Sequence, residues 1–352
     1  MKAFSKPTVL VALFSLAACS GGAGTMNSSV PAGSQQPQAV AQSAQATAQT
    51  QTRTTLSHDR TSRTQKDGSG ENGNENFESG DDGHGTVVYS SLPAPLKAVS
   101  SVGFQADQAS EFGDGVNLTQ RGNLQRVRYV LSSWGCQSGN WYSDNCVTAH
   151  GATFPVPITL NVYAIDTTKS SSVGALLATQ TQTFNIPYRP SADNVRCTGA
   201  FLGEFYSSVD ASSVNGLANV IVFDYSGPSV NLPLQSIFSL AYNTTTWGYS
   251  PIGNQPCDST LAGCPYDSLN VSADGPGGPI GSAFDPNGIF WNTSTASNYC
   301  DNGAGGLIFR LDTPCWTGYH PQFEVRAQVG NNGHDNGHDN GHDNRHDNGH
   351  DN

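Results

Sequence analysis

The sequence predicts an all-β chain: an antiparallel two-sheet sandwich of jelly-roll type, set between a disordered N-terminal tether and a disordered C-terminal tail. Three observations carry that expectation. Between Thr86 and Val329, apolar and polar residues alternate in one run after another, the pattern of antiparallel sheets wetted on one face. No stretch has the period and length of an amphipathic helix. Charged residues make up 12% of the 352 residues while glycine numbers 39, a balance suited to short strands joined by turns.

Taken in order, Ser101 to Ala106 places Val102, Phe104 and Ala106 on one face. Arg126 to Leu131 sets Val127, Tyr129 and Leu131 against Arg126 and Arg128. Ile158 to Ile165 aligns Ile158, Leu160, Val162 and Ala164. Further runs are Thr179 to Ile186, Val220 to Tyr225, Ile237 to Tyr242, Ile289 to Asn292 and Leu307 to Leu311. In Gln322 to Val329 the inward set is Phe323, Val325, Ala327 and Val329, with Gln322, Glu324, Arg326 and Gln328 facing solvent. A total of about ten to thirteen strands in one stretch fits a single sandwich over residues 86–329. Two tandem sandwiches divided near Pro187 to Asn194 are the alternative, but no long polar linker interrupts there.

The ends read differently. Lys2 and Lys6 precede an apolar run, Val9 to Leu16, too short to span a bilayer, and Leu16-Ala17-Ala18-Cys19 follows. This resembles a bacterial lipoprotein signal with its lipobox. The resemblance implies a signal peptide over 1–18, a lipidated Cys19 as the mature first residue and, with Ser20 next, the outer membrane. Residues 19–85 lack hydrophobic periodicity, and Ser20 to Thr52 carries no charge, so a disordered linker is expected. As a flexible coil it reaches on the order of 45 Å. Residues 330–352 repeat Asn-Gly-His-Asp, with His334, His338, His342, His346 and His350 at every fourth position. Asparagine and glycine in the repeat argue against a helix, leaving a solvated tail or a weak multivalent ligand for Zn, Ni or Cu.

The formal net charge of −12 argues against a nucleic-acid partner, since no basic stripe exists to meet phosphates. Apart from Cys19, the chain holds close cysteine pairs Cys136 with Cys146, Cys257 with Cys264, and Cys300 with Cys315, which leaves Cys197 over. Disulfides fit these better than zinc, since no CxxC spacing occurs. Such short loops stabilise by roughly 2–3 kcal/mol each in the chain-entropy model.

Candidate chemistry is thin, and no catalytic residue is assigned. Glu111, Glu204 and Glu324 are the glutamates of the expected domain. Glu324 alternates onto the solvent face of its strand, while Glu111 and Asp114 read as part of a Gly-containing turn. A pair among Glu111, Asp114 and Glu204 could serve glycan hydrolysis, which needs paired carboxylates. His150 and His320 read as loop residues at the surface. Asp107, Glu111 and Asp114 gather oxygen ligands that could hold calcium, or are simply turn residues. Trp141, Tyr142, Trp247 and Tyr249 sit in stapled or Gly-punctuated loops and form the candidate ligand surface, with polysaccharide as the ligand. Trp134 and Trp291 read as packing residues, and Trp316 adjoins Cys315.

The phrases Ser110-Glu111-Phe112-Gly113-Asp114, Ser132-Ser133-Trp134-Gly135-Cys136, Phe184-Asn185-Ile186-Pro187-Tyr188-Arg189-Pro190 and Phe290-Trp291-Asn292-Thr293-Ser294-Thr295 resemble a group of uncharacterised secreted bacterial β-sandwich proteins over residues 86–328. The resemblance implies the sandwich and export, and no activity. The expectation is a lipid-anchored envelope or surface protein whose sandwich binds or displays. A carbohydrate-active hydrolase or lyase on the same scaffold, and a purely structural envelope protein, are the alternatives.

Overall fold

In the computed structural model, residues 84–98, 100–227, 229–242 and 269–330 are described. Cys19 and the tether before residue 84, Trp247, Tyr249, Cys257, Cys264 and the histidines of the tail lie outside the described residues. Among the described residues no helix is long and apolar enough to cross a membrane.

The chain forms strands β1 (Thr86–Ser90), β2 (Ser101–Val102), β3 (Ala109–Asn117), β4 (Gly122–Ser133), β5 (Thr153–Ile165) and β6 (Val173–Pro187). There follow β7 (Phe205–Ser207), β8 (Ser212–Val214), β9 (Leu217–Asp224), β10 (Asn231–Leu232) and β11 (Gln235–Ala241). The last are β12 (Leu269–Asp274), β13 (Ser282–Ala283), β14 (Ile289–Thr293), β15 (Arg310–Asp312), β16 (His320–Pro321) and β17 (Phe323–Gln328). One sheet runs β1-β17-β4-β12-β16, with β9 and β10 also on β4 and β2 on β12; the other runs β15-β14-β3-β11-β5-β6, with β13 on β3. All of these pairings are antiparallel. The chain passes repeatedly between the two sheets, β3 to β4 to β5 and β10 to β11 to β12, so the layers are interwoven. Strands from before and after residues 187–194 share both sheets, which makes one sandwich rather than two in tandem.

Side-chain alternation builds the interior. Phe154, Val156, Ile158, Leu160 and Val162 of β5 and Val127, Tyr129 and Leu131 of β4 are buried as their period demands. Phe323 of β17 stacks on Tyr129 at 4.9 Å and lies 5.6 Å from Phe238 of the opposite sheet, and the Tyr129 hydroxyl donates to the Phe238 carbonyl at 3.0 Å. Burying such rings fully stabilises by about 1.5–3 kcal/mol each.

Several expectations are corrected. Residues 110–114 do not make a turn: they belong to β3, a strand at the centre of its sheet. Asp and Gly disguised it, and the glycines are there for close approach. A Cβ on Gly113 would meet the Phe238 carbonyl oxygen at 2.2 Å, and one on Gly115 would meet the Phe290 ring at 2.7 Å. Glu324 and Arg326 do not face solvent. They are buried, joined to each other at 2.9 Å, with Arg128 3.6 Å from Glu324. Of the run expected at 307–311, Arg310 and Leu311 alone pair in a sheet, as the start of β15, and Leu307 and Ile308 stay exposed. The turns from Asn302 to Gly306 intervene, and Arg310 closes them through Asp301 and the Gly306 carbonyl.

Gly113→Ala is therefore expected to lower the unfolding free energy by about 1–3 kcal/mol, the usual penalty of overpacking. Urea denaturation followed by circular dichroism checks this; an unchanged midpoint would mean the strands do not approach as closely as described.

Candidate functional site

Glu111 and Asp114, three positions apart on β3, point to opposite faces of the sheet. Glu111 lies half-buried on the outer face. Its Oε1 accepts hydrogen bonds from the Ser239 hydroxyl at 2.6 Å, the Asn161 amide at 2.9 Å and the Tyr163 hydroxyl at 3.0 Å. Burial, and then the adjacent Glu111 charge, pushes the Tyr163 hydroxyl's pKa up. Asp114 instead points between the sheets and meets His320 of β16, Nδ1 to Oδ2 at 2.8 Å, with both side chains 1% exposed. The other ring nitrogen of His320 lies 3.2 Å from the Pro286 carbonyl. His320 is thus a buried link between sheets, not a surface loop residue.

This geometry dismantles the calcium set. Period two separates Glu111 from Asp114, and Asp107 precedes the strand in a turn, where burial pushes its carboxyl up to about 6. Among the described residues the group close enough to hold a metal is Cys300, Asp312 and Cys315, and its two cysteines form a disulfide. Nor do Glu111 and Glu204 make a pair: Glu204 belongs to a separate cluster with Asn215, whose amide donates to Glu204 Oε1 at 3.1 Å.

The cysteine pairs Cys136–Cys146 and Cys300–Cys315 are disulfides, and Cys197 is free and buried, its sulfur accepting from the Ser213 hydroxyl. Trp134 and Trp141 meet edge to face at 5.0 Å, and the Trp134 indole donates to the Ser132 hydroxyl at 3.0 Å. Trp141 stays half-buried there; the side chain of Tyr142 lies outside the described residues. The indoles of Trp291 and Trp316 both donate to Asp312 Oδ2, at 3.0 and 2.8 Å, while the Cys300 amide donates to Oδ1 at 3.0 Å. Burial pushes the Asp312 carboxyl up and these bonds pull it back. Trp291 and Trp316 are therefore packing residues clamped on a buried carboxylate.

A cleft of ≈ 760 Å³ opens beside the Cys136–Cys146 loop, where the β5–β6 end meets the β7–β8 hairpin. Arg189, fully buried, fixes this end: its Nη2 donates to the Gly203 carbonyl at 2.7 Å and its Nη1 to Asn215 Oδ1 at 2.9 Å. Burial lowers its pKa to about 10, with Glu204 opposing. The walls include Tyr188, Phe205 and Tyr206, with His150, Arg196 and Asn219 also lining it. The Arg196 guanidinium stacks over Tyr206 at 4.5 Å, and its Nε holds Asp193 at 2.5 Å. Among the described residues the His150 ring, the Tyr206 hydroxyl, the Asn219 amide and the two Nη groups of Arg196 make no hydrogen bond. His150 is exposed, as its loop position suggested. No sequence spacing marked Arg196, Tyr206 or Asn219, because three separate segments bring them together. No family model, curated protein or solved structure matches the chain.

The Asp114–His320 link supplies a pH test. Burial works against the charged ring, yet the Asp114 hydrogen bond carries the His320 pKa upward; burial raises Asp114, which His320 opposes. Tyr89 and Asp285 face the same pair. A raised folded pKa means the stabilisation is full below the unfolded pKa and is lost as pH rises through the folded one. Both groups have the same sign. The stability gap between wild type and His320→Gln should therefore narrow as pH rises from the unfolded His value, about 6.5, past the raised one. Urea titrations across that range check it, and a gap that widens would contradict the link.

Proposed function

We propose that the chain is an exported β-sandwich, held at the bacterial cell envelope by a lipid on Cys19, that binds glycan in the cleft beside the Cys136–Cys146 loop. The observation that carries the reading is the composition of that cleft. Two half-buried rings, Tyr188 and Tyr206, and the edge of the buried Phe205 stand beside His150, Asn219 and the Nη groups of Arg196, donors that make no hydrogen bond among the described residues. Apolar ring faces stack on a pyranose, and hydroxyl-directed donors fix its orientation. Arg189 ties the cleft wall to the sandwich through the Gly203 carbonyl and Asn215, an attachment that would limit the ordering required on binding. Trp141 lies near, as the neighbour of Trp134, whose indole nitrogen a Cβ on Gly216 of the cleft wall would meet at 2.4 Å. The linker would give this body reach from the membrane rather than chemistry.

Two measurements test the proposal. Calorimetric titration with soluble polysaccharides is expected to show binding that Tyr206→Ala weakens about tenfold, close to 1.4 kcal/mol. Binding unaffected by that change, or none across neutral and acidic glycans, would remove the cleft from the proposal. Labelled fatty acid should be incorporated into the wild-type chain and not into Cys19→Ala, with the variant leaving the membrane fraction; equal partition of both would remove the anchor.

A further inference from the structure

The outer face of the β15-β14-β3-β11-β5-β6 sheet carries a second constellation. Thr179 of β6 stands opposite Asn161 of β5, which stands opposite Ser239 of β11, which stands opposite Gly113 of β3. One strand further, Asn292 of β14 is opposite Glu111. Because Gly113 has no side chain, Glu111 leans across to the Asn161 and Ser239 row. The Thr179 hydroxyl donates to Asn161 Oδ1 at 2.7 Å, which turns the Asn161 amide nitrogen toward Glu111. A row of hydrogen bonds thus crosses from the edge strand to β3 and ends on one carboxylate oxygen.

Three neutral donors hold Glu111 Oε1, and among the described residues Oε2 makes no hydrogen bond and no cation pairs with the group. Half-buried carboxylates are ordinarily matched by a positive partner, because desolvation penalises an isolated charge. Here the geometry instead immobilises one oxygen and leaves the other as a fixed acceptor. Beside it the Tyr163 ring leans on Phe309, centroids 5.3 Å apart, giving the acceptor an apolar wall. From β6 to β3 the row crosses three interstrand gaps, about 14 Å at the usual spacing of ~4.8 Å, with Ser239 buried inside it and Thr179 and Glu111 at its accessible ends.

We infer that this face is a second carbohydrate-contact site, in which Glu111 Oε2 accepts from a ligand hydroxyl or ammonium and so selects neutral and amino sugars against uronates. The inference shares the ligand class of the cleft proposal and uses none of its residues. Its charge preference is the reverse of that offered by Arg196 in the cleft.

The test uses the full chain and three probes: glucosamine hexamer, cellohexaose and an oligogalacturonate, titrated calorimetrically at a pH where the amine is charged. Glu111→Gln retains an oxygen for the three donors and removes the charge. It is expected to weaken glucosamine-hexamer binding at least tenfold and cellohexaose binding several-fold, with no loss for oligogalacturonate and an unchanged melting temperature. The same losses are expected in a Tyr206→Ala background, which separates this face from the cleft. Wild-type affinity for glucosamine hexamer in folded Glu111→Gln would overturn the inference whatever the cleft does. Should that variant not fold, Thr179→Val on the exposed strand is read instead: a two- to threefold loss supports the site, and unchanged binding overturns it.

Discussion

Strand β3 fits between β11 and β14 because Gly113 and Gly115 present no side chain where their neighbours' backbone and rings lie. That steric allowance sets the arrangement around it. With the register fixed, residues alternate without choice: Phe112, Asp114 and Val116 enter the interior and Glu111 goes outward. The outward carboxylate reaches Ser239 and Asn161 over the vacated glycine position. The inward one reaches His320 in the other sheet. A one-residue slip would exchange the two carboxylates, placing Glu111 in the core and breaking both sets of contacts.

Buried polar groups recur in this interior; some atoms, such as Asp114 Oδ1 and the Ser272 hydroxyl, have no hydrogen-bond partner among the described residues, but three charged side chains have named ones. Asp114 has His320; Asp312 has two indoles and the Cys300 amide; Arg189 has the Gly203 carbonyl and Asn215. Removing one partner from such a group is strongly destabilising because a charge or dipole is left without compensation, although the pair itself adds little net stability. These contacts therefore act chiefly on register and orientation. Arg189 shows it best: it stitches the excursion between β6 and β9 to the sandwich, and the shape of the cleft follows from that attachment. Asp312 does the same for the Cys300–Cys315 loop, whose aromatic residues converge on it.

How much could be read in advance depended on whether the signal was local. Alternation in β4, β5 and β17 was legible because one face of each must be apolar, and Val127, Leu160 and Val325 stand where period two puts them. Where a strand is covered on both faces, as at Glu324 and Arg326, alternation still located the strand and misjudged its outer surface. Where glycine replaces side chains, as in β3, the same rule failed altogether. Short disulfide loops were legible since neighbours in sequence are neighbours in space. The cleft was not: His150, Arg196, Tyr206 and Asn219 come from separate segments, and only the folding of the 190–215 excursion onto the β5–β6 end juxtaposes them. His320 was misread for a like reason, its partner being 206 positions away.

The two proposed contact surfaces differ in the physics they use. The cleft is concave and offers rings with cationic and neutral donors; the β3 face offers the Glu111 carboxylate, oriented by hydroxyl and amide groups, with one ring pair beside it. A chain of net charge −12 repels polyanions at long range, which screening confines to about 8 Å at physiological ionic strength. An acidic glycan would thus feel attraction in the cleft only at close range to Arg196, whose Nε is already shared with Asp193, whereas a neutral or amino polymer meets no such barrier over the sheet. Each surface alone implies modest affinity, since a few stacking and hydrogen-bonding contacts must also offset lost freedom. Both belong to one sandwich with shared strands, so a polymer long enough to touch the two would bind the second in an intramolecular step, and affinity would rise without any new contact. Chain length of the glycan would then act together with the charge preference of each surface in setting how tightly such a body is held.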